Sequence, residues 1–217
     1  MAVTPGRTGS TSIAGGSQGV DACPKRAVPP GPLPDDTHAV ARAAASALGW
    51  NGEVLTEARV LGRKIHMVAR LRPEAHAERI ANDYGPVIDR TEVATWTWPE
   101  LADVAPSPAV DITGVVVVTR HWRTALASVV PFARYFDAAI VLPAEAAVTH
   151  DYVDNCLPRA RAYGVSLLTV DGDEHVHRDL SGSTERIMLG TDPISRWCQE
   201  LAYEQILDAT DLEASAP

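Results

Sequence analysis

The stretch that decides the fold is Asp111-Ile112-Thr113-Gly114-Val115-Val116-Val117-Val118-Thr119. It is a continuous apolar run of β-branched residues, the pattern of a strand buried on both faces. Reading onward, Trp122 to Phe136 has helical spacing, with Pro131 inside it. Ala138-Ala139-Ile140-Val141-Leu142 is a second buried strand, ended by Pro143. Ala146 to Tyr163 is a helix with a break at Pro158 and a stop at Gly164, and Val165 to Val170 is a third buried strand. Strand, helix, strand, helix, strand is the signature of parallel pairing with covering helices.

Upstream, Val54 to Val60 alternates at period two, Leu61 to Lys64 reads as a turn, and Ile65 to Arg70 returns as a second strand. This predicts a β-hairpin. Before it, Asp35-Asp36-Thr37 supplies a helix cap, and Ala41, Ala44, Ala45 and Leu48 form the apolar stripe of a helix over 38–48, stopped by Gly49. Residues 1–36 hold six Gly and six Pro, the composition of a disordered leader. Residues 73–111 read as an insertion. It has a helix from Pro73 to about Tyr84, a second short helix near Pro99 to Val104, and a pair of tryptophans, Trp96 and Trp98, placed for burial on the sheet. Downstream come a turn at Asp171-Gly172-Asp173, an edge strand from His175 to Arg178, and a helix from Pro193 to Leu207. The expected class is thus α/β, a mixed central sheet flanked by helices. The domain covers 37–180, and an acidic helix and tail cover 181–217.

The chain has 217 residues and a formal net charge of −9. Its basic residues are 17 Arg and only two Lys, Lys25 and Lys64, so chemistry that needs a lysine has almost no candidates. Residues 171–217 hold eleven acids against three arginines. That imbalance speaks against a broad basic face for nucleic acid and suits a solvated surface or a docking face for a basic partner. Three scattered cysteines, Cys23, Cys156 and Cys198, form neither a disulfide framework nor a zinc module. No apolar run reaches membrane-spanning length, and the N-terminus has no secretory layout, so a cytoplasmic protein is expected. No glycine-rich phosphate loop or nucleophile elbow follows a strand.

The local wording resembles the PD-(D/E)XK superfamily, the restriction-endonuclease-like fold. The resemblance is carried by Trp122-Arg123-Thr124-Ala125-Leu126, by Asp137 to Pro143, and by Gly164-Val165-Ser166-Leu167-Leu168-Thr169-Val170-Asp171. The helix and hairpin over 38–70 stand where that family has its first helix and first two strands. The resemblance implies an Asp on the second strand and a Glu-x-Lys or Asp-x-Lys on the third, which together hold Mg²⁺. This sequence departs at both places. The second-strand position falls at or beside His66, and the third-strand position falls within Val116 to Arg120, which has no acid. The resemblance therefore implies a nuclease-like domain that has lost its metal ligands. It would act as a binding or scaffold protein for nucleic acid or for a nucleic-acid-handling partner, with no cofactor. The alternative is an active Mg²⁺- or Mn²⁺-dependent nuclease with a rearranged site, for which Glu57, His66, Asp111 and Arg120 are the candidates. A further alternative is an unrelated α/β domain that binds a small molecule or a subunit.

Two more groups bear on function. Arg120, His121, Arg123 and Arg134 surround a helix start and are the candidate nucleic-acid contacts. His175 and His177 alternate on a strand beside Asp171 and Asp173, which makes them the candidate metal ligands if any metal binds. The simpler reading of that stretch is an acidic turn leading into an edge strand.

Overall fold

The structure is a computed structural model, and it describes residues 31–214 except 102, 184–187 and 191. Most of the leader expected over 1–36 lies outside the described residues. Its core is a mixed sheet of seven strands. The elements are α1 (Thr37–Leu48), β1 (Glu53–Val54), β2 (Ala58–Val60), β3 (Arg63–Leu71), α2 (Pro73–Ala81), α3 (Arg90–Thr95), β4 (Val110–Val118), α4 (Trp122–Val129), β5 (Asp137–Pro143), α5 (Ala144–Ala147), a π-helical turn (Tyr152–Cys156), α6 (Leu157–Ala162), β6 (Ser166–Val170), β7 (Val176–Leu180) and α7 (Pro193–Ala214).

The sheet runs β1-β3-β4-β5-β6-β7, with β2 also on β3. β4, β5 and β6 are parallel. β3 is antiparallel to β1, β2 and β4, and β7 is antiparallel to β6. The hairpin forms, but its first arm is broken. β2 pairs with 63–65 and β1 with 68–69, with residues 55–57 between them. The connection is two residues long, Leu61 and Gly62, at φ 50° and 74°. Two left-handed residues in a row match the right-handed twist of the flanking strands.

The two faces of the sheet are covered unequally. On one face α1 packs, through Val40, Ala41, Ala44 and Ala45, onto Val54, Val68, Val116, Ala139, Val141, Leu168 and Val170. Alanines at the contact bring the helix close. Trp50, just past the Gly49 stop, lies over Gly114, where a Cβ would come within 2.4 Å of the indole. The other face carries α4, α6 and α7 and the larger core, built on Val115, Val117, Ile140, Leu142, Leu167, Phe132, Cys198, Ala202 and Tyr203. The α2–α3 segment is tied to α7, since Trp197 donates to the Ile88 carbonyl at 2.8 Å.

Several boundaries differ from the sequence reading. α4 ends at Val129, because Pro131 has no N–H to continue the ladder. The chain then goes on in tight turns, from Phe132 N to Val129 O and from Tyr135 N to Phe132 O. The helix expected over 146–163 is three pieces. The π-helical turn ends just before Leu157, so that Pro158 falls in the first turn of α6, where its missing N–H costs no bond. The short helix in the insertion lies at Arg90–Thr95 rather than near Pro99–Val104, whose described residues form turns. Asp89 caps it, accepting from the Thr91 N–H at 2.7 Å, with Glu92 in its first turn. The edge strand is Val176–Leu180, and α7 extends beyond Leu207 to Ala214. Trp96 is half-buried under Arg196, whereas Trp98 is 56% exposed.

Candidate functional site

Alternation along β3 sends Ile65 and Met67 to the larger core and Val68 to the α1 face. His66 goes with Val68, so a histidine 2% exposed stands inside an apolar layer. Its partner in register on β4 is Val116. Because the first hairpin arm breaks after Leu55, the Leu55 carbonyl is free to meet the ring, 3.2 Å from His66 Nδ1. A carbonyl only accepts, so Nδ1 carries the proton and Nε2 is left as a bare lone pair. Among the described residues nothing hydrogen-bonds that Nε2.

The first turn of α1 brings His38 against it. The two rings lie 5.8 Å apart between centroids and are nearly perpendicular. His38 Nδ1 is also enclosed and has no partner among the described residues. Burial, the largest cause, lowers the His66 pKa, and His38 adds to the lowering. The contact to the Leu55 carbonyl and the charges of Glu57 and Asp36 oppose it. His66 is therefore a neutral imidazole at pH 7.

The acids nearby are both engaged. Asp36 accepts from the Ala39 N–H at 2.9 Å as the cap of α1, and this bond holds its carboxyl below the usual range. Glu57 is paired with Lys64 at 2.6 Å on the exposed side of the hairpin. This place thus holds a histidine pair, buried valine, and two peripheral carboxylates that already have partners. Nitrogen donors favour borderline cations over Mg²⁺, which takes oxygen.

The other sequence candidates lie elsewhere. Asp111 pairs with Arg70 at the opposite end of the β3–β4 ladder, five residues and about 17 Å along the strand from Val116. Arg120 and His121 are exposed between β4 and α4. Arg123 follows them but is bound to Asp151 at 3.0 Å, the same carboxylate that accepts the Trp122 indole N–H at 2.8 Å. Arg134 is exposed beyond the other end of α4, so Arg120, His121 and Arg123 share one end of that helix and Arg134 does not. Arg123 and Arg159 both stack on Trp122, 4.3 and 5.2 Å from its ring, at the head of an open groove floored by Leu126, Val130 and Tyr163.

His175 and His177 do come together, both against Asp171, at 3.7 and 3.4 Å. Asp171, Asp173 and His175 place one ligand-type atom each within 4.8 Å of one another. Asp171 already accepts the N–H groups of Asp173 and His175 at 3.0 and 2.9 Å, which is the work of a turn. The thiols of Cys156 and Cys198 are pushed up to about 12 by burial, so neither is a nucleophile at neutral pH.

The sequence reading found His66 and Glu57 and missed His38. No local signal marks His38, because its meeting with His66 is set by how α1 lies across β3. The chain matches no protein-family model, and comparison with curated proteins and with solved structures returns no match.

Proposed function

We propose that this chain is a restriction-endonuclease-like domain that binds a partner without cutting nucleic acid. The observation that carries the reading is the register of His66 opposite Val116, on the face covered by α1. Aligned by that resemblance, an imidazole and a valine fall where active members need paired carboxylates, which supports a domain that does not cut. The mixed sheet, with an N-terminal hairpin and an antiparallel β3 beside three parallel strands, supports the same reading. The net charge of −9 and the neutralisation of Arg123 by Asp151 favour a protein partner over a long stretch of nucleic acid. A rearranged nuclease is the second reading, because Glu57 lies in the break of the hairpin arm that pairs with the strand carrying His66.

One assay separates the two. The full chain is incubated with linear and supercoiled DNA, single-stranded DNA and RNA, with Mg²⁺ and then Mn²⁺, against EDTA. A binding domain leaves every substrate intact. Metal-dependent cutting that a Glu57→Ala/His66→Ala variant loses would replace the proposal with the rearranged nuclease.

A further inference from the structure

We infer that His38 and His66 form a two-imidazole binding site for a borderline divalent cation of the zinc type. The inference stands on chemistry that the fold leaves unused. His66 is 2% exposed, yet its Nε2 lone pair meets no donor among the described residues, and Nδ1 of the neighbouring His38 ring is also enclosed without a partner among them. A buried polar atom without a partner costs roughly 1–3 kcal/mol, so two of them on neighbouring rings ask for an occupant.

The donor set selects that occupant. His66 gives its Nδ1 proton to the Leu55 carbonyl. A backbone carbonyl that fixes the tautomer of a histidine, leaving the other nitrogen free to coordinate, is the usual outer contact of a metal-bound imidazole. Two imidazoles that share a zinc ion at about 2.0–2.1 Å have ring centres roughly 5 to 6 Å apart. The observed separation is 5.8 Å. The N-terminus of α1 is unfavourable ground for a cation. The Asp36 carboxylate at that cap offsets it. Nitrogen ligands favour a borderline cation over Mg²⁺ and Ca²⁺, which take oxygen.

This site does not depend on the chain being nuclease-like, and its test reads binding rather than cleavage. Zn²⁺ is titrated into the full-length chain in competition with a chromophoric chelator, and Co²⁺ substitution reports ligand geometry in the visible spectrum. The wild type takes up one Zn²⁺. His38→Ala weakens it by at least about tenfold and removes the Co²⁺ bands. His66→Gln, which keeps the polar volume, does the same. An Asp171→Asn/Asp173→Asn/His175→Ala variant binds like wild type, because its exposed cluster is not the site. The inference is overturned if the folded wild type binds no Zn²⁺. It is overturned equally if His38→Ala binds as tightly as wild type, or if the surface variant loses the metal. Circular dichroism on each variant separates loss of binding from loss of fold.

Discussion

Two polar clusters are buried against opposite faces of one sheet, and they treat their hydrogen bonds in opposite ways. Under α7, Arg79 and Glu200 are each 1% exposed and meet in a two-pronged pair at 2.7 and 2.6 Å. The remaining groups are almost all used. Arg79 Nε donates to the Ser107 carbonyl, the Val87 N–H donates to Glu200, and Arg196 reaches both Glu200 and the Pro106 carbonyl. In this cluster only Arg196 Nη1 is left without a partner among the described residues. Under α1, the His38–His66 pair makes one ring–carbonyl contact and leaves two nitrogens idle. The first cluster is a fastener, joining the 73–109 segment to α7 with almost every donor engaged. The second makes a single tie, from His66 to the Leu55 carbonyl. A buried polar group that does no structural work is the better functional candidate.

The largest effect should come from breaking the fastener. Glu200→Ala leaves Arg79 and Arg196 buried without their counter-charge, which costs about 3–5 kcal/mol. Denaturant unfolding should show the midpoint fall sharply. Arg79→Met/Glu200→Leu/Arg196→Met removes the charges together and should recover most of that loss. If the triple replacement is as unstable as Glu200→Ala, the cluster does more than fasten.

A smaller effect separates the two faces by packing. Gly114→Ala drives a methyl group into the Trp50 ring, 2.4 Å away. The strand is pinned on both sides, so the indole must move, at about 1–3 kcal/mol. Tryptophan fluorescence should change with the midpoint. An unchanged spectrum would mean that α1 sits less closely on the sheet than its alanines imply.

What the sequence could show follows the same division. The parallel strands were legible because Val115 to Val118, Ala138 to Leu142 and Val165 to Val170 are apolar on both faces, and only a doubly covered strand has that pattern. The α1 helix was legible from its Asp36 cap and Gly49 stop. The helix ends near Pro131 and Pro158 were not, because a proline says that the ladder breaks but not whether turns or a π-helical turn absorb it. The Arg79–Glu200 pair was invisible, since its partners are 121 residues apart and charged residues at helical spacing read as solvated. His66 was legible only as a departure from an acid. Its meeting with His38 depends on how α1 lies across β3, which no local pattern encodes.

The smallest effect is the most diagnostic for the histidine pair. In the fold the pKa of His66 is lowered, chiefly by burial, so the unfolded chain binds its proton more readily than the native one. Stability from this group is therefore present above the unfolded pKa, near 6.5, and is lost as pH falls below it. His66→Leu removes that titration. It also removes the idle Nε2 while leaving the Leu55 carbonyl without a donor, two changes that oppose each other, so the net cost at pH 8 should be about 1 kcal/mol or less. Unfolding curves from pH 8 to pH 5 should then show the wild type losing more stability than the variant. With Zn²⁺ present the wild type should gain stability at pH 7.5 and the variant should not, since only the native wild type offers the paired nitrogens. If the two proteins keep a constant difference across the whole range, His66 is not the buried neutral base that this face of the sheet requires.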